Sequence, residues 1–436
     1  MVQTGPRTHP EPMTNLLTRA REAAERTPAD RDRLVDALRV FAMLVVVVGH
    51  WLMAVIWLPP DGDVVILNAL DDHPALQLLT WVFQVMPLFF LAGGFSNGRS
   101  LAADAGDAGA WLGRRARRLL APVTLLVAFW AVVAPVARVW LEPGLVRSAA
   151  LGALVPLWFI SVYLGIVLLA PLTHRAWVRW GWRTVVVGIA GAVVVDVIRF
   201  TADAEWIGWA NFAFVWATVH QAGYGMGDWR RPSVGRWLAP LGLGALVLVV
   251  TVGPYPLSMI GLDTLALTNT TPPTIALLAL ATMQAGLVGL LAPALERRLR
   301  DTKTWSWVLL GGGVAMTWFA WHLTVMILVA GLDLAVGGVL LPIDPFTTTW
   351  WLTRPVWIFV LVAITLPVVV GLAGLEARSR AGEANRPAWL AAVGIVGAVA
   401  SVAALVLSGV TWPWVVAFFA SVWAAGALPR LRAPAR

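Results

Sequence analysis

The sequence predicts an all-α, polytopic integral membrane protein of about twelve transmembrane helices. Three observations carry that prediction. The chain is 59% hydrophobic and only 13% charged, whereas soluble proteins carry about 25% charged residues. Apolar runs of about 20 residues recur along it, each able to cross a hydrocarbon core of roughly 30 Å. No long alternating pattern suggests a barrel, so helices are left to satisfy the backbone in lipid.

The runs fall near 35–57, 75–95, 118–138, 150–172, 184–200, 206–226, 236–255, 274–295, 306–330, 350–374, 387–408 and 411–428. Residues 1–33 are polar and read as a cytoplasmic arm, either an amphipathic helix over 14–26 or plain disorder. A main domain is expected over 34–375, then a cytoplasmic loop at 376–386. An extra helix pair over 387–428 and a tail at 429–436 complete the chain. The pair is divided only by a short turn, "SGVTWP".

Charge supports this division. Cytoplasmic loops of membrane proteins collect Arg and Lys. Of 32 basic residues, 28 fall in the arm through Arg39, in 97–118, 174–183, 228–236, 296–303 and 376–386, and in the tail. Only Arg138, Arg147, Arg199 and Arg354 lie in or beside the opposite loops, which instead hold Asp61, Asp63, Asp71, Asp72, Glu142, Asp203, Glu205, Asp263, Asp333 and Asp344. Both termini are therefore expected in the cytoplasm. The net charge of +8 reads as a topology signal, not as affinity for nucleic acid.

The chain has no cysteine, which excludes disulfides, thiolate catalysis and cysteine metal sites. It has no G-x-x-x-x-G-K-[ST], no H-E-x-x-H and no H-x4-D, and no metal site is expected. One G-x-S-x-G string, "GFSNG" at 94–98, closes an apolar helix. A nucleophile elbow needs a strand before it, so Ser96 reads as a small residue at a helix end.

Ionisable side chains inside a span are costly and mark candidate sites. His50 follows Arg39 by eleven residues. That rotation of about 1,100° leaves them about 20° apart on one helix face, and about 16.5 Å apart along the axis. Arg39 then sits at the cytoplasmic headgroup level and His50 near mid-membrane. Plainer readings are a snorkelling arginine and a packed histidine. The functional reading is an anionic carrier held at Arg39 with its far end at His50, as a phosphate-headed acyl-coenzyme A would need. Arginine grips phosphate bidentately, and imidazole is a base at neutral pH.

Further stretches join this pair. "QVMPLFFLAGGFSNGRS" covers 84–100, "RRARRLLAPV" 114–123, "PLWFISVYLGIVLLAPL" 156–172 and "WHLTVMI" 321–327. With Arg39-x10-His50 in the first span, their order resembles the acyltransferase-3 family of membrane acyltransferases over roughly 34–375. The extra C-terminal pair departs from the usual plan of about ten spans. The resemblance implies transfer of an acyl group, usually acetyl, from cytoplasmic acyl-CoA to a hydroxyl of a sugar, envelope glycan, glycolipid or secreted metabolite. It implies His50 as the catalytic residue, acting as a general base or a covalent acyl relay. Arg39, Arg115 and Arg118, with Arg114 beside them, would bind the cofactor phosphates. The same arginine clusters are what topology alone demands.

His322 lies inside a later span and is a further candidate; His220 is weaker. Asp196 and Arg199 share a face near the outer end of their helix and read either as a self-neutralising ion pair or as acceptor contacts. Asn269 lies in "LTNTTPPT", a sugar-binding mouth or a loop before a Pro-started helix. Asp196, Arg199 and 267–274 are the expected outer lining of one channel that is narrowest at His50. The near-exclusive use of arginine over lysine, with Lys303 alone, suggests a bacterial source, hence the bacterial inner membrane. The competing reading is a secondary transporter or flippase for a glycan or lipid intermediate. It would favour an internal repeat, and none is visible.

Overall fold

The computed structural model describes residues 13–427, apart from 61, 72, 105–106, 263 and 381–386. The tail at 429–436 and most of the 376–386 loop lie outside the described residues. An amphipathic helix α1 (Met13–Glu25) precedes the membrane helices and packs along the start of α13, so the helical reading of the arm holds for that stretch. Helix α2 (Arg33–Met53) follows, started by Asp32, whose carboxylate accepts from the Val35 amide at 3.1 Å. A side-chain acceptor at this position satisfies one of the amides a helix leaves unpaired.

At the far end of α2 the chain turns into a hairpin, β1 (Ala54–Trp57) against β2 (Val65–Asn68). A 3₁₀ stretch (Pro74–Leu79) and α3 (Thr80–Phe83) lead to α4 (Met86–Ala103). Ser96 lies inside α4, not at its end, and its hydroxyl donates to the Ala92 carbonyl at 2.9 Å, so the G-x-S-x-G string is helical throughout. Then come α5 (Ala108–Ala137), α6 (Pro143–Leu154), α7 (Leu157–Trp180) and α8 (Arg183–Thr201). A second 3₁₀ stretch (Glu205–Ala210) opens α9 (Asn211–Tyr224), followed by α10 (Met226–Trp229) and α11 (Pro232–Val252). A loop over 253–274 precedes α12 (Ile275–Leu299), α13 (Thr302–Ala335), α14 (Thr348–Arg380), α15 (Ala388–Ser408) and α16 (Trp412–Ala424).

Among the described residues ten helical segments are long and apolar enough to cross a membrane. The two other expected spans are shorter helices. At 14 residues α9 rises about 21 Å, and its 3₁₀ lead adds about 12 Å, so together they still match a bilayer core. At 13 residues α16 rises about 20 Å and falls short of that core. Pro413 fixes its start, and Gly426, at φ 70°, ends it.

The core forms where α2, α4, α5, α7, α9, α12 and α13 meet. Helices α4 and α9 approach backbone to backbone. A Cβ on Gly94 would stand 1.8 Å from the His220 carbonyl oxygen, and one on Gly223 would stand 2.1 Å from that of Leu91. Small residues let spanning helices pack by backbone contact, and here neither helix has a flexible side chain to yield. Gly94→Ala is therefore expected to force the two helices apart at a cost of about 1–3 kcal/mol. The thermal midpoint of the detergent-solubilised protein should fall; an unchanged midpoint contradicts this packing.

Candidate active site

The α2–α13 seam carries the site. His50 Nδ1 and His322 Nε2 lie 2.8 Å apart. The ring planes differ by 10° and the centroids are 5.0 Å apart. That separation is the N···N bond plus two ring radii, so the imidazoles meet edge to edge in nearly one plane, as an in-plane hydrogen bond requires. His322 Nδ1 lies 2.7 Å from the Phe319 carbonyl oxygen. A carbonyl can only accept, so in neutral His322 the proton is on Nδ1 and Nε2 is a lone pair. His50 must then donate through Nδ1–H, which leaves His50 Nε2 unprotonated and turned away from its partner. The next residue, Trp51, donates from its indole to the His322 carbonyl at 3.1 Å. Two consecutive residues of α2 thus grip one residue of α13. Around them Val47, Trp51, Leu323, Met326, Trp357 and Leu361 make an apolar cluster. His322 is fully buried and His50 half-buried.

A cavity of about 250 Å³ opens at the other end of the same seam, lined by Arg31, Asp36, Arg39 and Arg118 at one end and by Met43, Phe89, Gly312, Gly313 and Met316 at the other. The Arg39 guanidinium lies 5.7 Å from the centre of the Phe89 ring, and its buried Nε has no hydrogen-bond partner among the described residues. A smaller void lined by Val40, Val47 and Trp318 continues along the seam. Val47 and Trp318 stand one turn short of His50 and His322. Neither space has His50 or His322 in its wall, and the smaller has room for about one water. A larger cavity, about 380 Å³, lies between α8, α9, α11 and α12. It is almost wholly apolar, with Asp228 its one ionisable wall residue, and so offers no cation to hold a phosphate.

The arginine cluster divides. Arg118 lines the seam cavity. Arg115 packs against the Trp111 ring at 5.4 Å and points to the Ser96 carbonyl. Arg114 instead turns outward and pairs with Asp104 at 2.6 Å.

The residues expected to line an outer channel do other work. Asp196 and Arg199 do not form the expected pair with each other. Arg199 reaches Glu205 at 2.7 Å. The buried Asp196 carboxylate accepts from the Asn211 amide at 2.7 Å, the Tyr255 hydroxyl at 3.0 Å and the backbone N–H of Ile275 at 2.9 Å. Ile275 is the first residue of α12, whose own N-cap side chain makes no capping bond, so Asp196 caps that helix from α8. Asn269 is fully buried and spends its polar atoms on the Pro256 and Ser258 carbonyls and the Thr274 hydroxyl. These residues fasten the 253–274 loop and face none of the seam cavities. His220 is buried too, with Nε2 accepting from Asn97 at 3.0 Å.

The seam thus holds a basic mouth, an apolar interior and an oriented imidazole pair. A family model described as an acyltransferase domain, Acyl_transf_3, matches residues 33–374. The chain belongs to the acyltransferase-3 family. It is accordingly a membrane-spanning acyltransferase of many apolar helices. The search of curated proteins and the search of solved structures return no match. The matched segment begins at Arg33, so α1 and the strap before α2 precede it, and α15 and α16 follow it.

Removing the Asp196 carboxylate tests its placement. Asp196→Ala leaves two side-chain donors and a helix-end N–H unpaired, at an expected cost on the order of 3 kcal/mol. The melting temperature should drop while the KM values of both substrates stay put. Unchanged stability with a raised acceptor KM would return Asp196 to the substrate site.

Proposed function

We propose that this acyltransferase moves an acyl group, acetyl in the simplest case, from acyl-CoA on the arginine-lined side to a hydroxyl of an envelope glycan, glycolipid or secreted metabolite. The observation that supports this reading best is the shared seam, with Arg39 and Arg118 at its mouth and the His50–His322 pair about 16.5 Å further along α2. Phosphates are too strongly hydrated to enter the bilayer core, so they stay with the arginines and only the thioester arm extends inward. The side chains between Arg39 and His50 along the seam, Met43 and Val47 among them, are apolar, as an uncharged arm needs.

In this mechanism His50 Nε2 takes the proton of the acceptor hydroxyl as its oxygen attacks the thioester carbonyl. The C–S bond then breaks, and the departing thiolate receives that proton from the His50 imidazolium. His322 is a positioning residue. Its Nε2 holds His50 in the tautomer with a free Nε2 and supports the imidazolium once formed. In the orientation proposed, the acidic loops face the side from which the acceptor approaches, and both termini face the donor side.

His50→Ala should lower kcat by about 10²-fold or more with little change in donor KM, the usual range for a lost general base. His322→Ala should lower kcat less and move the pH profile, because His50 then loses its fixed tautomer. A His50→Ala enzyme that keeps more than about a tenth of wild-type turnover rules out the base role. Topology is checked separately. Reporters at the C-terminus and in the 381–386 loop should read on the cytoplasmic side and one at Asp71 outside; a C-terminal reporter reading outside overturns the proposed orientation.

A further inference from the structure

The strap between α1 and α2 is fastened at several points. The Trp305 indole, fully buried, donates to the Thr27 hydroxyl at 2.7 Å. The guanidinium groups of Arg31 and Arg33 lie 5.5 and 5.2 Å from the centre of that ring. Arg33 also donates to the Leu299 carbonyl at 2.8 Å, capping the end of α12. Asp32 accepts from Arg230 at 2.6 Å, so its charge is neutralised. Held in this way, Arg31 stands in the wall of the cavity that also contains Arg39 and Arg118.

Arg31 donates through Nε to Asp36 at 2.8 Å. Its two Nη groups have no hydrogen bond among the described residues, and its side chain is 45% exposed. The edge occupied by Asp36 and the face resting on Trp305 together orient the free Nη fork. The cavity walls thus carry three cations and one carboxylate, and that carboxylate is already paired. The net field favours a ligand with more than one anionic group.

We propose that Arg31, from the strap that precedes the matched family segment, is a third anion-binding arginine of this cavity and holds the 3′-phosphate of the donor's ribose. The assignment rests on the acyl-CoA reading above and follows from order along one axis. Arg39 is seven residues into the membrane from Asp32, about 10.5 Å, and His50 is a further 16.5 Å or so. A donor with its thioester near His50 places its diphosphate near Arg39 and Arg118. The nucleotide end, with the ribose 3′-phosphate, then lies outermost, level with Arg31. Arginine's planar fork suits a phosphate monoester bidentately. Asp36 is a positioning residue for it.

The test compares acyl-CoA with its 3′-dephospho analogue on the purified full-length enzyme, reading KM for each. Wild type should prefer the 3′-phosphorylated donor by about tenfold or more, the scale of a lost charge-assisted contact. Arg31→Gln, which keeps a side chain able to lie against Trp305, should remove that preference by raising only the acyl-CoA value. Arg31→Lys keeps the cation without the fork and should restore part of it. Equal KM values for the two donors in wild type, or a preference that survives in Arg31→Gln, overturn the assignment. Arg39→Gln separates the two layers. If it weakens both donors while Arg31→Gln weakens neither, the Arg31 assignment alone falls. If Arg39→Gln also changes neither, the donor site itself has been misplaced.

Discussion

Consecutive residues of α2, His50 and Trp51, both bond to a single residue of α13, His322, through its ring and its backbone carbonyl. The rest of the site depends on this clamp. A backbone carbonyl fixes the proton on one side of His322, and that choice passes through the ring to His50. The result is a lone pair on His50 Nε2 with no carboxylate bonded to either ring among the described residues. A carboxylate there would be an additional charge at mid-membrane depth, where desolvation is most costly. A neutral two-imidazole chain orients the base at lower electrostatic cost.

The clamp also sets the direction of the seam. Where α2 and α13 meet at His50 and His322, the space between them closes. Toward Arg39 it widens where Gly312 and Gly313 leave α13 without side chains, whereas Gly311 lets α13 close on Val40, 2.8 Å from where a Cβ would stand. Gly312 and Gly313 line the larger cavity and Gly311 the smaller. Polarity follows the same gradient, from arginines at the mouth to Met43, Met316 and Val47 within. A ligand charged at one end and reactive at the other fits in one orientation only. The N-terminal strap extends the charged end by a further arginine, and its anchor is Trp305 on the same α13 helix.

Much of this was legible from the residues. Helical class and membrane insertion follow from hydropathy, which is a local property. Arg39 and His50 share a face because one unbroken helix carries both, so their spacing was sufficient. The His50–His322 bond was not legible, since 272 residues separate the partners and only packing decides which histidine meets which. Asp196 misled for a related reason. Its spacing from Arg199 permits a pair on one helix, but tertiary partners from α9, the 253–274 loop and α12 outcompete that short-range contact. Asn269 sits in a polar, Thr- and Pro-rich stretch that reads equally as a binding mouth or a loop, and its bonds to Pro256, Ser258 and Thr274 fit the loop. Arg31 is not legible as a site residue, because nothing in a polar arm tells that Trp305 will hold it against a cavity.

The most direct measurement is a cryo-EM structure of the enzyme with a non-transferable thioether analogue of acyl-CoA. The account predicts phosphate density at Arg39 and Arg118, the pantetheine arm running along the α2–α13 seam, and the acyl carbon beside His50 Nε2. Density for the nucleotide on the opposite face, or in the apolar cavity between α8, α9, α11 and α12, with the seam empty, would contradict it.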